Sequence, residues 1–129
     1  MKSLSQQRVQ DLFLKFCKAY GDRDFKIILN LFSSKGQMWS ACAYTVHIGH
    51  EEIEKELKRN WMEAETGELE VISWLPSSSK NTEWAAALCR ASILIDGILH
   101  VSDNLRVSVV CEEEDGTLKI SHMHASFPD

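Results

Sequence analysis

Apolar residues first recur at helical spacing. Val9, Leu12, Phe13, Phe16 and Tyr20 fall at i, i+3, i+4, i+7 and i+11, one face of a helix that ends near Gly21. Upstream, Ser3 and Gln6 stand three apart as in a capping box, where Ser takes a helix-start N–H and Gln reaches back. Asp24 can cap a second, shorter helix with Phe25, Ile28, Leu29 and Phe32 as its buried stripe. Ser33-Ser-Lys-Gly36 then interrupts the pattern. Gln37 to Ala43 reads as a short strand, continued as strand or loop from Tyr44 to Ile48. Gly49 precedes a third helix in which Ile53, Leu57 and Trp61 line one side, and Gly67 ends it. Its acids (Glu51, Glu52) come early and its bases (Lys58, Arg59) late, which suits the helix macrodipole.

The rest alternates as strands do. Glu68 to Leu75 stops at the polar loop Pro76 to Asn81, and Trp84 to Ile95 makes a long strand of small and aliphatic residues. Asp96-Gly97 is a hairpin signal, because a type I′ turn needs positive φ. Ile98 to Cys111 returns, and the run through Asp115-Gly116 leads into Leu118 to Phe127. Helices followed by a long antiparallel meander predict an α+β fold over 1–129, with no repeat and no internal boundary. Such a sheet twists strongly and curls around the helices into a cone that encloses a cavity. Its outer face stays half apolar, which suits a homodimer.

Composition narrows the function. Over 129 residues, hydrophobic and charged fractions of 44% and 26% are ordinary for a globular domain. Net charge is −5 and the bases are scattered among acids, so neither nucleic acid nor an anionic membrane surface is expected as a partner. The acidic run Glu112 to Asp115 reads as a solvated hairpin tip. Arg8, Asp11 and Lys15 break up any leader-like apolar run, and no stretch is long enough to span a membrane. Cys17, Cys42, Cys89 and Cys111 are widely spaced with no C-x-x-C, as in a cytoplasmic protein with reduced thiols rather than a disulfide or zinc framework.

The opening around Tyr20-Gly-Asp-Arg-Asp-Phe25, the Ile48-Gly-His-Glu-Glu-Ile53 segment and the ending Asp115-Gly116, Lys119-Ile120, His122, His124, Ser126, Pro128 resemble the SnoaL-like branch of the nuclear-transport-factor-2-like superfamily. Arg106-Val-Ser108 resembles that family's Arg-x-Thr pair, whereas Leu118 replaces its usual Trp. The resemblance implies the cone fold and leaves function open: the superfamily holds isomerases, cyclases, dehydratases, hydrolases, association domains and transport factors. It places Phe16, Ser40 and Ser108 where ketosteroid isomerases carry a Tyr donor, a carboxylate base and a protonated Asp. None of the three can take those roles, so that chemistry is not expected.

The resemblance also aims Arg106 and Ser108 at the cavity. A buried Arg needs a partner anion, which is either an internal carboxylate such as Asp103 or Asp24, or that of a bound ligand. Trp61, Tyr44, Trp39 and Met123 are the candidate walls, with plain core packing the simpler reading of the Trp residues. His122 and His124 share a strand face about 6.6–6.8 Å apart. They can chelate zinc only if a third ligand such as His100 converges; otherwise they hydrogen-bond on a half-buried face. By strict alternation they lie with Leu118, Ile120 and Ser126. Lys119, Ser121, Met123, Ala125 and Phe127 take the other side. The comparison points Ser121, Met123 and Ala125 inward, so the His pair is expected at an outer interface, although one bulge would flip the assignment.

The leading expectation is a small-molecule pocket for an apolar, acidic ligand, with Arg106 as anchor, Ser108 beside it and no metal or cofactor. The first alternative is a non-catalytic association or scaffold domain acting through the outer sheet face. The second is a cofactor-free isomerase, dehydratase or hydrolase with His122 or Asp103 as proton carrier, although Asp103 also suits an exposed bulge.

Overall fold

The computed structural model describes residues 5–41, 46–76 and 82–128. Tyr44, Cys42 and the Ser3 cap lie outside them. Helix α1 (Ser5–Asp22) buries Val9, Phe13 and Phe16 of the stripe its spacing predicts, with Leu12 and Tyr20 half-buried beside them, and buries Cys17 as well. It runs through Gly21 and stops one residue later. Arg23 takes the left-handed conformation (φ 58°) usually left to glycine at a helix end. The guanidinium offsets that strain by donating to Trp61 O and Ala64 O, each at 2.7 Å, which ties the end of α1 to the Trp61–Ala64 segment.

Helix α2 (Phe25–Leu31) is capped by Asp24, whose carboxylate accepts from Ile27 N at 3.2 Å. Strand β1 (Phe32–Trp39) begins at once, so Ser33 to Gly36 forms part of a strand and not the expected break. That segment is irregular: the register with the last strand jumps between Phe32 and Gln37. After β2 (His47–Ile48), α3 (Gly49–Met62) buries Ile53, Leu57 and Trp61 and ends before Gly67. Ile48 N donates to Glu52 Oε1 at 2.7 Å, satisfying a backbone donor at the helix entrance.

Strands β3 (Thr66–Trp74), β4 (Trp84–Ile95), β5 (Ile98–Glu114) and β6 (Thr117–Ser126) form the meander. Asp96 and Gly97 (φ 51° and 78°), like Asp115 and Gly116 (φ 55° and 81°), have the two consecutive positive φ values of a type I′ hairpin. The order β2-β1-β6-β5-β4-β3 makes one open six-stranded sheet, antiparallel except where β1 runs parallel to β6. The core lies between its inner face and the helices, where Phe13, Ile28 and Ile53 meet Cys89, Val109 and Ile120. No helix among the described residues is long and apolar enough to cross a membrane.

Bulges on β5 and β6 set which of their side chains face inward. On β5, Cys89 pairs with Leu105 but Ala91 with Ser102, so one extra residue enters around Asp103 and Asn104. On β6, Cys111 pairs with Ile120 but Val110 with His122, which leaves Ser121 as the extra residue. The faces of β6 therefore change partway: Leu118 and Ile120 are buried at one end, Met123 at the other.

Candidate functional site

A cavity of about 240 Å³ lies between α1, α3 and the inner face of the sheet. Its helical side is aromatic. Phe13 stacks on Phe16 (5.9 Å between centroids), Phe16 on Tyr20 (6.1 Å), and Tyr20 meets Trp61 at 6.0 Å. The sheet side carries small or slender residues, Gly67, Ala91, Val107 and Ala125 among them. Larger strand residues, Met38, Trp39, Leu69, Leu105 and Met123, also line it. Gly67 comes close under Tyr20: a Cβ there would lie 3.4 Å from the ring.

The anticipated site residues separate onto two faces. Trp61, Trp39 and Met123 line the cavity with Phe16 and Ser40. Arg106 and Ser108 do not: both are exposed, because Leu105, Val107 and Val109 take the inward positions of β5. Arg106 Nη2 donates to Phe127 O at 3.2 Å. The cavity anchor expected there is corrected accordingly, and so is the inward placement of Ser108. Ser121 is the bulge residue, with its Oγ donating to Val110 O at 3.1 Å, and is likewise absent from the cavity wall.

Asp103 is exposed at the β5 bulge and accepts from Arg90 Nε at 2.6 Å. Glu70 holds the other end of the same guanidinium at 3.2 Å. Asp103 is thus a solvated ion-pair partner remote from the cavity. His122 and His124 also face outward: Nδ1 of His122 lies 3.3 Å from Gln37 Oε1, and His124 meets the Trp39 ring edge-on at 6.4 Å. His100 pairs with Ile93 near the β4–β5 hairpin, whereas His122 pairs with Val110. Among the described residues no group of three His, Cys, Asp or Glu side chains is placed to hold a metal ion.

The polar feature beside the cavity is one the expected residues did not include. Glu56 on α3 is only 4% exposed. Arg59 grips it with a fork, Nη2 to Oε2 at 2.7 Å and Nε to Oε1 at 3.0 Å. Ser40 Oγ donates to Oε2 at 2.8 Å. His47 Nε2 stands 3.3 Å from Oε1 without the alignment of a hydrogen bond. Burial pushes the Glu56 carboxyl's pKa up, but the bonds from Arg59 and Ser40 outweigh it and hold the group below the usual carboxylate range. Glu56 is therefore an ionised carboxylate inside the protein. Ser40, its hydrogen-bond partner, is also a residue of the cavity wall. The indole Nε1 of Trp61, which also lines the cavity, is buried without a hydrogen-bond partner among the described residues.

The chain belongs to the SnoaL-like domain family, whose model matches residues 9–129. No curated protein matches it in sequence. Among solved structures it resembles a candidate aromatic ring hydroxylase from Novosphingobium aromaticivorans, with TM-score 0.80 and 15% identity over 97% of this chain and 90% of that one. A candidate calcium/calmodulin-dependent protein kinase II association domain from Xanthomonas campestris gives TM-score 0.78 and 16% identity over 95% and 86% of the two chains. An NTF2-like protein with a cystatin-like fold, also from N. aromaticivorans, gives 0.77 and 9% over 97% and 82%. These likenesses establish a shared fold.

Proposed function

We propose that this domain binds a small, largely apolar molecule in the cavity between α1, α3 and the sheet. The observation that carries the reading is the cavity itself: about 240 Å³, walled by Phe13, Phe16, Leu57, Trp61, Leu105 and Val107. An apolar space of that size is left open at a loss of dispersion contacts, and a ligand would restore them. Binding is favoured over turnover because His122 and Asp103, the two candidate proton carriers, lie outside the cavity wall, beside Gln37 and Arg90. Phe16, in the wall, has neither donor nor acceptor on its ring.

The test is a blocked cavity. Ala125 lines the space, so Ala125→Leu fills part of it from the sheet side. In a tryptophan-fluorescence titration with bicyclic aromatic probes, the wild type should saturate and the variant should lose at least tenfold in affinity at unchanged fold. Equal affinity in both would remove the cavity as the binding site.

A second reading draws on the outer face, where Trp84 and Val110 are exposed among His122, His124 and Arg106. A protein with this fold and the name of an association domain gives self-association a precedent. Here the outer face joins two copies into a homodimer, with the His pair at the interface. Native mass spectrometry at micromolar concentration would show a dimer; monomer alone would refute it.

A further inference from the structure

We propose that Ser40 is the polar anchor of the cavity and that it selects a neutral aromatic ligand bearing a hydroxyl or N–H. The inference rests on the cavity-binding reading above. A serine hydroxyl has one hydrogen and two lone pairs. The hydrogen of Ser40 is committed to Glu56 Oε2 at 2.8 Å. Glu56 cannot return one, because the Arg59 fork keeps it ionised and an ionised carboxylate only accepts. What Ser40 offers a molecule in the cavity is consequently a lone pair, made a better acceptor by the anion behind it.

The surrounding charges favour the same ligand. Arg23 also lines the cavity, but its Nη1 and Nη2 donate to Trp61 O and Ala64 O. Arg59 is shared between Glu56 and Glu63, at 2.7 and 3.1 Å. A ligand carboxylate at Ser40 would bring an acceptor against an acceptor, with an anion behind it, and would lose its water as well. This reverses the acidic ligand expected while Arg106 was the anchor. Size sets the scaffold: an apolar cavity of about 150 Å³ holds one benzene. The present cavity of about 240 Å³ therefore suits a fused bicyclic ring.

Three probes of similar shape test the inference: 2-naphthol, which carries a donor; 2-methoxynaphthalene, which does not; and 2-naphthoate, which is anionic. Dissociation constants are measured by calorimetry on wild type, Ser40→Ala and Ser40→Thr, with a thermal melt to verify folding. Wild type should bind 2-naphthol about fivefold more tightly than 2-methoxynaphthalene, the size of one net hydrogen bond, and 2-naphthoate most weakly. Ser40→Ala should erase the preference by weakening 2-naphthol alone. Ser40→Thr, which keeps the hydroxyl and Glu56's donor, should retain it even if the alanine variant does not fold. Equal binding of the two neutral probes by wild type, or a preference that survives Ser40→Ala, overturns the role of Ser40 and leaves the cavity reading standing. Failure of all three to bind overturns both.

Discussion

Replacing Arg59 with Met isolates the energetics of the buried carboxylate. The variant keeps most of the apolar stem and removes both bonds to Glu56, at 2.7 and 3.0 Å. Each charge-assisted bond is worth about 1.5–3 kcal/mol when made within the protein. Arg59 is 42% exposed, however, and solvent screens its share. Glu56 also has an escape by taking a proton. Against an ordinary glutamate pKa of about 4.3, that costs about 3.7 kcal/mol at pH 7. The loss therefore falls between these bounds, at about 2–3 kcal/mol, or roughly 10 °C in Tm for a domain of this size.

The pH dependence gives the test its sign. In the wild type the folded pKa of Glu56 is depressed, so its contribution is present above the unfolded value and lost as pH falls through the folded one. Without Arg59, burial, the largest single influence on this carboxyl, is opposed by Ser40 and His47 alone among the causes named, and the folded pKa is expected to rise above the unfolded value. The penalty is then full at high pH and relieved as pH falls through the raised pKa. Urea melts of the two proteins should differ by about 2–3 kcal/mol at pH 7, and the gap should narrow by at least half at about pH 4.5. A difference that is equal at both pH values, or below about 0.5 kcal/mol at pH 7, would refute the picture of a buried ion held by Arg59.

Arg106→Ala should shift stability by less than about 0.5 kcal/mol and leave the affinity for cavity probes unchanged, because Arg106 is exposed and its side chain donates to Phe127 O on the outer side; a lost ligand signal would contradict the outward assignment. Gly36→Ala should be damaging, since a Cβ would meet Ile120 O at 3.0 Å, the Phe32 ring at 3.1 Å and Ser33 O at 3.2 Å. A urea-melt loss of about 1–3 kcal/mol is expected, and a neutral result would show that β1 can shift away from β6. Burial pushes the thiols of Cys17 and Cys111 up to about 12 and that of Cys89 up to about 11. These three should resist a thiol reagent at pH 8 until the chain unfolds; fast labelling of any of them in native protein would place it nearer the surface.

The elements were legible because their periods are strong, and the Asp-Gly turns fixed the hairpins for a steric reason. The faces were harder to read, since a single inserted residue reverses every side chain beyond it. On β5 the sequence did carry the answer: Leu105, Val107, Val109 and Cys111 alternate with Arg106, Ser108, Val110 and Glu112, and the apolar set is buried. The inward Arg106 came from resemblance, and local alternation was the better guide. On β6 no strict alternation fits, because Ile120 and Met123 are both buried across three positions and only the extra residue at Ser121 reconciles them.

Glu56 was legible and was missed for a physical reason that generalises. On a helix, residues at i, i+3, i+4 and i+7 share a face. From Ile53 these positions are Glu56, Leu57 and Asn60, so a charged residue lies inside the stripe whose apolar members were recognised. A glutamate there must be paired or protonated. Arg59, three residues on, was the nearest cation able to pair with it. The contribution of Ser40 was beyond the pattern, because it needs β1 to lie against α3, a contact between residues sixteen apart in the chain. A charge inside an apolar helical stripe, with a complementary charge one turn away, thus points to a buried ion. Which group that ion polarises is decided by the segment packed over it, and here that group is the hydroxyl of Ser40, just past β1 and in the cavity wall.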